Sequence, residues 1–145
     1  MSGGRHVFLV DDDAAIAELY RFGLETEGFR VTVLADALDL NVRVAEDRPD
    51  IVVLDWELPG MRGDEALERL RRTSHGSETP VFMFSNFSGT HDGTVDRAFA
   101  SGAIAWLEKR STTPPQLAAK LLEVLETSPK PVGDKPPQPP ASRTS

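Results

Sequence analysis

Five short runs of strand-forming residues alternate with longer amphipathic stretches, and this alternation restricts the fold more than any other feature of the chain. His6-Val7-Phe8-Leu9-Val10, Ile51-Val52-Val53-Leu54, Val81-Phe82-Met83-Phe84 and Ile104-Ala105-Trp106-Leu107 are apolar, or nearly so, at successive positions. A strand alternates its side chains between two faces, so such runs must be buried on both. Phe29 to Val33 alternates and adds a further strand. Between these runs the apolar period lengthens toward 3.6. Ala14 to Glu27 carries Ile16, Leu19, Tyr20 and Leu24 at helical spacing and stops at Gly28. The spacing predicts a helix over Ala37 to Asp47, with Leu38, Val42 and Ala45 inward and Pro49 ending it. Asp64 to Arg72 turns Ala66, Leu67 and Leu70 inward, after a loop at Leu58-Pro59-Gly60. Thr94 to Ala100 is a short helix. Pro115 to Leu125 carries Leu117, Leu121, Leu122 and Leu125 on one face, and Pro114 suits its start. Strand and helix thus alternate five times. Strands apolar on both faces and separated by helices call for an α/β fold, a parallel sheet covered on both sides by right-handed crossovers.

The pattern ends near residue 126. From Thr127 to Ser145 lie six of the eleven prolines, and Val132 is the only large apolar residue. Such a segment buries too little surface to offset its ordering entropy, so 127–145 is expected to be a disordered or polyproline-like tail behind a domain at 1–126. Lys135 to Pro140 offers a docking ligand to an aromatic groove, if the tail has a role at all. The tail carries Lys130, Lys135 and Arg143 against Asp134, which concentrates the net charge of −7 into −9 on the body. An acidic body repels phosphate backbones, so nucleic acid is not expected as a direct partner. The absence of cysteine excludes disulfides, thiolate metal sites and Cys nucleophiles, and fits a cytoplasmic protein. No apolar run approaches the roughly 20 residues of a membrane span, and the first six residues lack the apolar stretch of a signal peptide.

In open parallel sheets, sites form beyond the carboxyl ends of the strands. At those ends stand Asp11, Asp12 and Asp13 after the first strand, Asp55 after the third, Ser85 after the fourth, and Glu108 and Lys109 after the fifth. If these strands are neighbours, several carboxylates, a hydroxyl and an ammonium converge. Crowded carboxylates repel unless a cation offsets them, and a hard divalent ion with oxygen ligands does so. An ionised Asp is also a nucleophile that can form an acyl phosphate. Each residue has a plainer role open to it. The three aspartates can cap the first helix, and Asp13 is the best placed for that alone. Asp55 can start a turn, Ser85 can be a loop hydroxyl, Lys109-Arg110 a solvated basic pair and Trp106 a core residue. The coincidence at four strand ends favours the joint site.

Taken together, Val10-Asp11-Asp12-Asp13, Val53 through Gly63, Pro80 through Ser85 and Gly102-Ala103 running to Lys109 resemble the receiver domain of two-component response regulators, over roughly residues 5–126. The resemblance implies a flavodoxin-like (βα)5 sheet of order 2-1-3-4-5. It implies that Asp55 accepts a phosphoryl group from a sensor histidine kinase or phosphotransfer protein, with Mg²⁺ as cofactor. Asp12 would bind the metal directly and Asp11 largely through water, with Asp55 and the backbone carbonyl of Glu57 completing the protein's share. Lys109 would contact a phosphate oxygen. Ser85 would move to hydrogen-bond the phosphoryl group, and Trp106 would change rotamer with it. Output would pass through the face of the fourth helix, fifth strand and fifth helix to an unidentified protein target, and the same face is where homodimers of the family pair.

Two positions depart from the family pattern. Arg110 follows Lys109 where the family usually has a cis proline. A cis bond before a non-proline residue costs roughly 2.5–4 kcal/mol, so a trans bond and an altered loop are expected. Asn86 follows Ser85 where Ala or Gly is usual, and narrows the approach to Asp55. The leading expectation is a stand-alone receiver that signals by phosphorylation-dependent binding and catalyses only its own phosphorylation and dephosphorylation. The alternative is a pseudo-receiver that works by constitutive contact. An aspartate-nucleophile phosphatase fits poorly, because Glu57 stands where a second Asp is wanted. A flavin module fits worse, since no phosphate loop follows the first strand.

Overall fold

The computed structural model describes residues 4–86 and 93–127. The segment expected to be a disordered tail falls outside them from residue 128 on. The chain forms β1 (His6–Val10), α1 (Ala14–Thr26), β2 (Arg30–Leu34), α2 (Leu40–Asp47), β3 (Ile51–Asp55), α3 (Gly63–Arg71), β4 (Val81–Ser85), α4 (Thr94–Ala100), β5 (Ala105–Glu108) and α5 (Pro114–Thr127). The five strands make one parallel sheet of order β2-β1-β3-β4-β5, the doubly wound flavodoxin-like arrangement.

β1, β3 and β4 are buried at every position because both of their faces are covered. Val7, Leu9, Ile51, Val53, Phe82 and Phe84 turn to one side and pack on Ala17, Tyr20 and Leu24 of α1 and Leu117, Leu121 and Leu125 of α5. Phe8, Val10, Val52, Leu54 and Met83 turn to the other and pack on α2, α3 and Ala98 of α4. Each fully buried side chain of this size contributes about 1.5–3 kcal/mol by leaving water. The edge strands β2 and β5 are only half covered, so the apolar run Ile104 to Leu107, expected to be buried on both faces, is buried only at Leu107, with Ile104 44% exposed. Gly23 lets α1 approach α5 closely, since a Cβ there would lie 2.3 Å from Pro114 Cβ.

Most boundaries match those expected to within a few residues, and two readings are corrected. The loop at Leu58-Pro59-Gly60 is the turn of a small hairpin, in which Glu57–Leu58 pairs antiparallel with Met61–Arg62 and Gly60 takes φ +78°. The second correction concerns α2, which begins at Leu40 rather than Ala37 and buries Leu40 and Val44. Leu38 and Val42, expected inward, are 74% and 56% exposed, and Ala45 is exposed as well. Alternate apolar residues from 38 to 44 allow two helical faces. The bend after β2, where the Leu38 N–H bonds Asp36 Oδ1 at 2.9 Å, determines which face turns inward.

Candidate functional site

Register carries the chemistry to one place. Val10 pairs with Leu54, and Asp55 with Phe84, so Asp11 and Asp55 end neighbouring strands at the same level. Ser85 pairs with Glu108, and Lys109 is the next residue along. Asp11 and Asp55 are buried, at 2% and 4% exposure, while Asp12 is exposed at the rim. Carboxylate oxygens of Asp11, Asp12 and Asp55 lie within 4.8 Å of one another.

One ammonium stands against this charge. Lys109 Nζ is 2.7 Å from Asp11 Oδ2 and 3.2 Å from Asp55 Oδ2, and its side chain is almost wholly buried. Burial works against the Lys109 charge, but the contact with Asp11 and the charge of Asp55 outweigh it and raise its pKa. Burial pushes the Asp55 pKa up. The Glu57 N–H, which donates to Asp55 Oδ1 at 3.0 Å, and Lys109 draw it back only in part, and Asp11 adds to the rise. The ammonium meets Asp11 Oδ2 outside hydrogen-bond angles, so that buried oxygen has an ion pair but no donor. Three clustered carboxylates with an oxygen lacking a donor suit a hard divalent cation such as Mg²⁺.

Local structure aims these groups. The Asp13 N–H donates to Asp11 Oδ1 at 2.9 Å, while Asp13 Oδ1 accepts from the Ile16 N–H at 3.1 Å, so Asp13 is the helix cap. Lys109–Ser111 form a 3-10 turn with no cis bond, as expected for a non-proline residue. Tyr20, read from the sequence only as part of the helical stripe of α1, holds that turn. Its buried hydroxyl donates toward the carbonyls of Thr112 at 2.5 Å and Lys109 at 3.1 Å. A tyrosine among leucines on an inward helix face signals a hydroxyl that needs an acceptor. Ser85 is fully buried at the end of β4.

The remaining expected residues stand around this centre. Trp106 packs against Trp56, the residue after Asp55, with ring centroids 5.3 Å apart, and Arg62 lies 5.9 Å over the Trp56 ring. Glu57 is exposed and meets the site through its backbone N–H, while its carboxylate is outside the cluster of three. Arg110 points outward and its Nη2 donates to the Asn86 carbonyl at 3.4 Å. No described helix is long and apolar enough to cross a membrane.

Residues 7–122 match the family described as the response regulator receiver domain. Among curated proteins, the chain is 34% identical over 112 residues to the phosphate regulon transcriptional regulatory protein PhoB of Rhizobium meliloti, covering 77% of this chain and 48% of PhoB. It spans about half the length of the curated relatives it matches. Among solved structures, the chemotaxis response regulator CheY4 of Vibrio cholerae superposes with a TM-score of 0.75 at 26% identity, over 83% of this chain and 98% of CheY4. The receiver domain of sensor histidine kinase PA1611 from Pseudomonas aeruginosa, with a magnesium ion coordinated in its active-site cleft, superposes with a TM-score of 0.76. At 21% identity over 86% of this chain and all of that one, it shares the fold.

Proposed function

Since the chain belongs to the response regulator receiver domain family, we propose that Asp55 is the acceptor of a phosphoryl group from a phosphohistidine of a sensor kinase or phosphotransfer protein. The observation that carries this is the setting of Asp55, buried at the end of a central strand with Lys109 at 3.2 Å and Asp11 beside it. An Asp55 oxygen bonds to phosphorus as the donor's N–P bond breaks, and the departing imidazole keeps that electron pair and takes a proton. The Glu57 N–H and Lys109 hold the carboxylate in place, and Lys109 carries charge toward the transferring group. Asp11, Asp12 and Asp55, with the Glu57 carbonyl, are the groups that would hold Mg²⁺. The ion, when bound, neutralises phosphoryl oxygens. Ser85 and Trp106, on adjacent strands beside the acceptor, relay the modification to the α4-β5-α5 face and so to a protein target. This reading places the work in the cytoplasm and treats the chain as a phosphoacceptor that turns over only its own modification.

Incubation with Mg²⁺ and acetyl phosphate tests the acceptor. The expected result is a mass gain of one phosphoryl group on the wild type and none on Asp55→Asn. Equal modification of both proteins would refute it. Capture of partners by beryllofluoride-treated against untreated protein tests the output, and molar mass under the same two conditions tests pairing through α4-β5-α5. A pseudo-receiver has one observation in its favour, the contact of Arg110 with Asn86 across the mouth. Mg²⁺ binding that is lost in Asp12→Ala would argue against it.

A further inference from the structure

Arg110 is a cation at the mouth of the acidic site that the chemistry above leaves without a task. Lys109 and Arg110 are consecutive in one turn but face opposite ways. Lys109 is buried against Asp11 and Asp55, and Arg110 is exposed. The turn is held by Tyr20, so the Arg110 backbone is fixed while its guanidinium spans from the end of β5 to the residue following Ser85. That guanidinium makes one long contact, at 3.4 Å, with a neutral carbonyl. It has no ion pair among the described residues. Among the described residues, most of its five donors are therefore uncommitted.

The charge count gives this cation a use. Asp11, Asp12 and Asp55 present three carboxylates, and Lys109, already paired with two of them, is the only ammonium among the described residues there. A phosphoryl donor is itself anionic and must approach this excess negative charge. A planar guanidinium is suited to this approach because it binds two phosphoryl oxygens at once and stays charged at every working pH. We propose that Arg110 is a donor-binding residue, which releases the Asn86 carbonyl and holds phosphoryl oxygens of the donor as it enters the Asp55 pocket. The inference rests on Asp55 being the acceptor. With acetyl phosphate as donor, the Asp55 oxygen forms the new O–P bond, the bond from phosphorus to the acetyl oxygen breaks, and acetate leaves with that electron pair. Arg110 exchanges no proton and acts on the encounter and the orientation of the donor.

The experiment measures the rate of phosphorylation against acetyl phosphate concentration, followed by the fluorescence of Trp56 and Trp106. Wild type is compared with Arg110→Ala, Arg110→Lys and Arg110→Gln. Loss of the guanidinium is expected to raise the half-saturating donor concentration about tenfold in both Ala and Gln, the effect of one charged hydrogen bond. Lys, which keeps the charge, restores part of it. Added salt should slow the wild type more than Arg110→Ala, because the attraction is screened. Mg²⁺ affinity and the rate of dephosphorylation stay unchanged. If Arg110 served only to pin Asn86, added salt would slow the wild type and Arg110→Ala equally, and that result would overturn the proposal. So would an unchanged concentration dependence in Arg110→Ala while the wild type is phosphorylated. If the wild type takes no phosphoryl group, the acceptor assignment itself fails and this inference with it.

Discussion

The two ends of the sheet handle buried polarity in opposite ways. Among the described residues, two buried side-chain atoms lack a hydrogen-bond partner, and one lies at each end: Asp11 Oδ2 beyond β1, and His6 Nδ1 at its start. At the amino end the imbalance is resolved by neutrality. His6 bonds Thr32 Oγ1 through Nε2 at 2.8 Å, and its backbone N–H donates to Asp50 Oδ2. Burial, aided by Arg30, lowers the His6 pKa against the opposing pull of Asp47 and Asp50, so the ring sheds its proton. The unpartnered Nδ1 belongs to an uncharged group. At the carboxyl end, Asp11 and Asp55 are buried with one ammonium between them, and the Asp55 carboxyl is pushed up by burial. The fold tolerates that charge instead of removing it. A neutral group that has lost its proton has little left to do, whereas carboxylates held together against repulsion attract a cation and an electrophile.

Four measurements can break or sharpen this contrast, in decreasing order of effect. Lys109→Met keeps the packing volume but leaves two buried carboxylates unpaired. It should lower stability to urea by about 3 kcal/mol without Mg²⁺, and slow phosphoryl uptake about 100-fold. A loss below about 1 kcal/mol would mean that the carboxylates are less confined than their burial indicates. Next is the cation itself. Mg²⁺ at one hundred times its dissociation constant should raise wild-type stability by about 2.7 kcal/mol. His6→Asn should respond as the wild type does, and Asp12→Ala much less.

Asp55→Asn comes third. A folded-state pKa raised above the ordinary carboxylate value means that the native state holds its proton longer than the unfolded chain. Ionisation therefore weakens the fold as pH rises from the unfolded pKa through the folded one. Removing the charge should raise stability without Mg²⁺, and a destabilised Asn variant would refute the sign. The smallest effect belongs to His6. Its folded pKa lies below 6.5, so the unfolded chain binds a proton that the native state does not. Stability is intact above that value and declines as pH falls through it, at no more than about 1.4 kcal/mol per pH unit. His6→Asn should flatten this part of a thermal-midpoint profile between about pH 7 and pH 5. Equal slopes in both proteins would show that the amino end is not neutralised by proton loss.

What was legible in the sequence follows the strength of local signals. β1, β3 and β4 were readable because apolar residues at successive positions fit only a strand covered on both faces. Asp13 was readable as a cap, and Lys109-Arg110 as a trans bond, because both depend on adjacent residues alone. The inward face of α2 was not, since its apolar residues offer two stripes and only the chain's exit from β2 chooses between them. The role of Tyr20 at the turn escaped notice for a related reason. Its acceptors lie 89 and 92 residues away, and nothing near it in sequence marks them.

The sequence by itself therefore determined the layered α/β architecture and the residue types at each strand end, because periodicity and chain order act locally. Tertiary structure decided how those ends combine. Parallel register brought Asp11 and Asp55 level and set Lys109 between them, while Glu57, chemically similar to its neighbours, was left with its carboxylate outside the cluster. Strand pairing fixes distances between residues far apart in the chain, and the electrostatics of the site depends on those distances and on burial, which are properties of the packed sheet.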